Sequence, residues 1–106
     1  TMNDVQFVEA ARNLAERAMK SGPAFAQRLD AMTVRVLARP FDARERAIAQ
    51  RAFDDYAKFY ESHPDDARKL VETGASPRDE SLAAGELAAY TMLANQVLNL
   101  DETLNK

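Results

Sequence analysis

The sequence predicts an all-α fold, a compact bundle of about five helices, of which four are long and one is short. Three observations predict it. Apolar residues return every three or four positions through most of the chain, which places them along one face of a helix. Prolines and glycines stand where this pattern breaks, at the expected ends of helices. No segment alternates apolar and polar residues, and no Asn-Gly or Asp-Gly hairpin turn occurs, so strands are not expected.

The first two helices are predicted over about residues 4–20 and 23–38. An Asn-Asp pair precedes the first helix and is expected to cap it, and Gly22 suits the left-handed position after it. Pro23 is acceptable at the start of the second helix, and Pro40 ends that helix because the residue before a proline avoids helical geometry. The expected core-facing residues are Phe7, Ala11, Leu14 and Ala18, then Phe25, Leu29, Met32 and Val36.

The third helix is predicted from Asp42 to about Glu61, with Asp42 as its cap and Glu45 at the spacing of a capping box. A short fourth helix follows Pro64 and closes at Gly74. The apolar face of the third helix is expected to be Ala49, Phe53, Tyr56 and Tyr60.

A linker with room for one helical turn at residues 76–77 leads to the last helix. This helix is predicted from Ser81 or Leu82 to about Leu104, and Gly85 is its only helix-breaking residue. Its expected core stripe is Leu93, Val97, Leu100 and Leu104.

Composition places the 106 residues in one helical domain, 1–106, of a soluble globular protein, with 46% hydrophobic and 29% charged residues. No apolar run approaches the roughly 20 residues needed to span a membrane. Cysteine is absent, which excludes disulfides, thiolate nucleophiles and covalent haem attachment within the chain. The net charge of −3 is uneven. Residues 1–53 carry nine Lys and Arg against six Asp and Glu, whereas residues 54–106 carry five against eleven.

The last helix also carries a polar group, and it has two interpretations. Asn95 and Asn99 lie one helical turn apart, with Asp101 and Glu102 close behind them in sequence. They are candidates to hold a polar ligand, or to form structural hydrogen bonds with a neighbouring segment. We favour the structural interpretation for this cluster.

His63 is the only histidine, and a metal or acid–base role would recruit the nearby Asp65 and Asp66. A helix start explains those carboxylates equally well, because acidic residues stabilise the first turn. The segment 35–51 holds five arginines, which suggests phosphate contacts. The negative net charge of the whole chain disfavours a nucleic-acid module. The favoured interpretation is that these arginines form ion pairs with the acidic second half. These arginines are Arg35, Arg39, Arg44, Arg46 and Arg51.

A dense aromatic group on the third helix is either a ligand cradle or part of the core, and we favour the core. Its members are Phe53, Tyr56, Phe59 and Tyr60. Phosphate-binding glycine loops, zinc-protease motifs and serine-hydrolase motifs are all missing from the sequence. We therefore expect no catalytic, cofactor-binding or metal-binding residue in this segment, and a small-molecule ligand is disfavoured.

Three stretches in order resemble one family. They are NDVQFVEAARNLAER at 3–17, RVLARP at 35–40 and GELAAYTMLANQVLNLDETL at 85–104. Together they resemble the C-terminal part of a planctomycete cytochrome-associated domain, the domain of unknown function numbered 1553. The sequence departs from that pattern at Val5, Ala38, Phe41 and Tyr90, where the family usually has Pro, Gly, Pro and Trp.

The resemblance implies that the chain is the C-terminal piece of a large multidomain protein, periplasmic or exported, whose haem region lies outside these residues. The family transfers no catalytic or binding residue. The expected function is a non-catalytic packing or interaction module, whose partner is an upstream domain of the same polypeptide or another protein. An alternative is part of an enzyme or electron-transfer site completed by upstream domains, in polysaccharide processing. A nucleic-acid or regulatory module is a third hypothesis, which the negative charge disfavours.

Overall fold

Five helices form the part of the chain that the structure, a computed structural model, describes. That part is residues 5–104, with the backbone alone at residues 102 and 104. The helices are α1 (Val5–Met19), α2 (Phe25–Leu37), α3 (Ala43–Ser62), α4 (Pro64–Val71) and α5 (Ala84–Leu104). No strand occurs between residues 5 and 104, so the predicted all-α bundle of four long helices and one short helix is confirmed.

Helix α5 is the central element, since it packs against each of the other four helices. Leu87, Leu93 and Val97 are almost wholly buried, and so are the polar Thr91 and Asn95 on other sides of the same helix. A helix that buries side chains around most of its circumference must be covered on several faces. The result is a compact bundle with a Cα radius of gyration of 12.8 Å.

The start of α3 is fixed by the predicted capping box. The Asp42 carboxylate accepts a hydrogen bond from the Glu45 backbone N–H at 2.8 Å. The Glu45 carboxylate in turn accepts from the Asp42 backbone N–H at 2.9 Å. Arg39 adds two further hydrogen bonds to Glu45, at 2.8 and 2.9 Å. The capping box predicted from the spacing of these two residues is therefore confirmed.

Other helix ends differ from the predictions. Helix α2 begins at Phe25, two residues after Pro23, and α5 begins at Ala84, past the predicted start at residues 81–82. Gly22 does not adopt a left-handed conformation; positive φ angles occur instead at Ala38 (64°) and Gly74 (104°). The predicted Asn-Asp cap of the first helix lies outside the described residues.

Gly74 and Gly85 are a matched pair for substitution by alanine. A Cβ at Gly74 would lie 2.8 Å from the Glu9 carboxylate, on backbone with a φ of +104°. A Cβ at Gly85 would meet nothing closer than the Tyr60 carbonyl oxygen at 4.0 Å. We expect Gly74→Ala to lower the free energy of unfolding by about 2 kcal/mol. Gly85→Ala should raise it by about 0.5 kcal/mol, since alanine favours helix. Urea unfolding measures both free energies. Equal changes in the two variants would contradict the crowded, left-handed environment described for Gly74.

Acid should weaken the α3 capping box. Hydrogen bonds from Arg39 and from the Asp42 backbone lower the pKa of Glu45 from 4.5 to about 2. A carboxyl whose pKa is lower in the folded state stabilises the fold above its unfolded pKa. That contribution disappears as the pH falls from about 4.5 to about 2. Urea unfolding at several pH values measures the free energy of unfolding. Between about pH 4.5 and 2 this free energy should fall less steeply for Glu45→Gln than for wild type. Glu61→Gln, an exposed control on the same helix, should keep the wild-type slope.

Candidate functional site

The predicted polar group of α5 does not converge on one place. Asn95 is buried, and its side-chain oxygen accepts no hydrogen bond from any described residue. Asn99, one turn later, is half-buried and lies with Leu100 and Thr103 along a shallow groove.

Asp101 lies along a different groove, between α5 and the pair α1 and α2. Its neighbours there include Arg17, Arg35 and Leu98. The side chain of Glu102 lies outside the described residues. Because Asp101 and Asn99 line different grooves, a common ligand site gains no support, and the packing role of the cluster stays a prediction.

His63 lies at the junction of α3 and α4, where it ends one helix and precedes the other. Its ring stacks on Phe59, with centroids 4.1 Å apart, and its Nδ1 lies 2.8 Å from the Phe59 carbonyl oxygen. Asp65 pairs with Arg68 one turn along α4. Among the side chains that the structure describes, no three of His, Cys, Asp or Glu are grouped to hold a metal ion.

Two arginines of segment 35–51 have carboxylate partners in the first half of the chain. Arg39 pairs with Glu45, and Arg46 lies 3.7 Å from Asp30, so both partners belong to the first half. Arg39 and Arg46 are therefore partnered outside the acidic second half. Arg35 lines a groove with Asp101 of that half, so ion pairing between the halves stays a prediction for the other arginines of the segment.

Other cations link the two halves. Lys20 pairs with Asp79. Arg28 lies 3.1 Å from Glu86 and also stands over the ring of Tyr90. These contacts join the end of α1 to the connector before α5, and α2 to the first turns of α5.

The aromatic group of α3 divides between core and surface. Phe53 packs between Phe25 and Tyr90, with ring centroids 5.2 and 4.3 Å away. Burial raises the pKa of the Tyr90 hydroxyl, as expected for a phenol removed from water. Phe59, in contrast, is 47% exposed. The core interpretation therefore describes Phe53 but not Phe59.

One buried cation was not predicted from the sequence. Arg12 on α1 has no solvent exposure. Its guanidinium donates to the Ser76 carbonyl at 2.8 Å and to the Pro77 carbonyl at 3.0 Å. It also donates to the Glu16 carboxylate at 3.1 Å. A planar guanidinium with several fixed donors suits such a multiple contact.

Two glutamates complete this contact between α1 and the connector 72–83. Glu9 accepts a hydrogen bond from the Ser76 backbone N–H at 2.6 Å, and Glu16 accepts one from the Asp79 N–H at 2.8 Å. Hydrogen bonds from Ser76 lower the pKa of Glu9. The connector is thus held by a polar clamp of α1 side chains, namely Glu9, Arg12 and Glu16. Their spacing at i, i+3 and i+7 on one helix side was the available sequence signal.

An apolar groove, the α3–α5 groove, opens between the start of α3 and the end of α5, with a volume of about 240 Å³. Its walls carry Ile48 and Leu100, which are 63% and 43% exposed. Glu45 and Gln96 supply polar positions in the lining. The remaining lining residues are apolar and buried, and they are Phe41, Ala49, Leu93 and Val97. Leu100 was predicted to be core and is instead part of this surface, because no described helix covers the last turns of α5 on this side.

No family model, no curated protein and no solved structure matches the chain. The resemblance to the planctomycete cytochrome-associated domain therefore stays a prediction. Among the described helices, none combines the length and the apolar character that crossing a membrane requires.

Loss of the clamp cation should unfold the connector first. Arg12→Met keeps the apolar stem but leaves Glu9 and Glu16 without their shared cation. We expect it to lower the free energy of unfolding by about 3 kcal/mol, as for other broken buried ion pairs. Hydrogen exchange should accelerate at the amides of Ser76 and Asp79. Arg17→Met, at an exposed position of the same helix, should change stability by less than about 0.5 kcal/mol. Full protection of both amides in Arg12→Met would contradict the clamp.

Proposed function

We propose that the chain is a non-catalytic helical interaction module that binds an apolar segment of a protein partner in the α3–α5 groove. The observation that carries the proposal is the pair Ile48 and Leu100, exposed on facing walls above a buried apolar floor. Aliphatic side chains with roughly half of their surface in water gain free energy when a partner covers them.

The shape of the groove favours a helical segment as the occupant. It runs between two helices, and apolar residues spaced along one face of a third helix fit such a groove. Phe41 and Val97 on the floor offer contact surface, while Gln96 at the edge offers hydrogen bonds to polar flanks. The proposed occupant is therefore an amphipathic helix of an upstream domain or of another protein.

The resemblance adds a proposal about the setting. A module that ends a large exported protein would contact the preceding domains through this groove and hold them in place. Haem chemistry, in that setting, belongs to the other domains.

A peptide display experiment tests the groove with ligands that are selected from a random library. The library is selected on the wild-type chain, and each enriched peptide is then titrated against Leu100→Glu and Val34→Glu. Val34 is the control because it is 51% exposed on α2 and does not line the groove. We expect the enriched peptides to carry apolar residues at helical spacing. Binding should weaken at least about tenfold for Leu100→Glu, because a buried charge without a partner is unfavourable.

Val34→Glu should bind these peptides as wild type does. Failure to enrich any peptide would overturn the proposal. Enriched peptides that bind Leu100→Glu unchanged would overturn it as well.

A further inference from the structure

The outer side of α3 carries an apolar and charged pattern that the core does not use. Ile48, Arg51, Asp55 and Phe59 follow one another at intervals of three, four and four residues, which keeps them on one helix side. All four are exposed, and Ile48 and Phe59 are the large apolar members at 63% and 47%. These four residues form the α3 outer stripe.

The charges of the stripe are unpaired and ordered. Arg51 and Asp55 make no ion pair with each other or with any other residue in the described part of the chain. The cation precedes the anion along the helix. An antiparallel copy of the same stripe therefore sets each cation opposite an anion, whereas a parallel copy sets like charges together.

The apolar ends of the stripe match in the same arrangement. With a two-fold axis crossing α3 near residue 53, Arg51 faces Asp55 of the partner subunit, and Ile48 faces Phe59 of the partner subunit. Ile48 is also one wall of the α3–α5 groove, so the facing ring reaches the mouth of that groove. A self-complementary surface of this kind is what a two-fold dimer requires.

We propose that a second copy of the chain binds along the α3 outer stripe, with the two α3 helices antiparallel and Phe59 of each copy packed against Ile48 of the other, beside the α3–α5 groove. The inference rests on the proposed function in one respect: Ile48 belongs both to the α3 outer stripe and to the wall of the α3–α5 groove, whose own occupant stays the helical segment proposed above. Charge complementarity favours a second copy as the partner. The antiparallel arrangement pairs Arg51 and Asp55 across the interface and covers Ile48 and Phe59 at the same time.

Sedimentation equilibrium of single charge reversals and their mixture tests the arrangement. Arg51→Glu alone sets two pairs of carboxylates together across the axis, and Asp55→Arg alone sets two pairs of guanidinium groups together. Each variant alone should dimerise at least about tenfold more weakly than wild type at low salt. An equimolar mixture of the two should recover dimers, because every facing pair in the heterodimer is then of opposite charge. Asp54→Arg, at an exposed position off the stripe, is the control and should dimerise as wild type does.

Circular dichroism and urea unfolding of each variant confirm that the fold is retained. Ile48→Glu should be monomeric and folded. A wild-type chain that stays monomeric at about 1 mM overturns the inference. So does a mixture of the two charge variants that fails to recover dimers. Peptide binding that depends on Leu100 would survive either result, so failure of the dimer and failure of the groove are distinguishable.

Discussion

Burial of α5 on most of its circumference is the constraint on which the rest of the structure depends. Leu87, Leu93 and Val97 must all be kept from water, and one neighbouring helix covers only part of a helix. The other four helices are arranged around α5 for this reason, and each contacts it. The neighbouring helices bury α5 completely near Leu87 and Leu93, but they leave Leu100 partly exposed. The α3–α5 groove lies at the last turns of α5, where no further described helix covers its apolar side.

The polar clamp solves a different problem, which the same central helix creates. The chain must travel from the end of α4 to the start of α5 through residues 72–83, a segment with few apolar side chains. Burying a guanidinium is unfavourable unless its donors are used, and Arg12 directs Nη1 and Nη2 at the backbone carbonyls of this segment, although its Nε has no partner among the described residues. Glu9 and Glu16 compensate its charge and accept from the backbone N–H groups. The connector is therefore held by hydrogen bonds where an apolar core is lacking.

Local features of the fold were predictable from the sequence, because their causes lie within a few residues, as in the capping box of Asp42 and Glu45. Long-range features could not be predicted in this way. The carbonyl partners of Arg12 in the connector lie 64 and 65 residues away, and the sequence around Arg12 does not identify them. Leu100 shows the same limit. A helical wheel identifies its face correctly, since Val97 on that face is buried. The wheel does not show how far the neighbouring helices extend, so the candidate surface could not be predicted.

The distribution of polar and apolar groups supports the proposed interaction role. Arg12, the most buried charged side chain, is occupied with the connector, and His63 is held by the end of α3. Large apolar side chains are exposed instead, and three of them, Ile48, Phe59 and Leu100, lie along α3 and the end of α5, while Val5 and Val34 lie elsewhere. Folding leaves Ile48, Phe59 and Leu100 partly in water, and association would remove that unfavourable exposure. Covering these side chains with protein would lower the free energy of the chain, and this supports the proposed binding role.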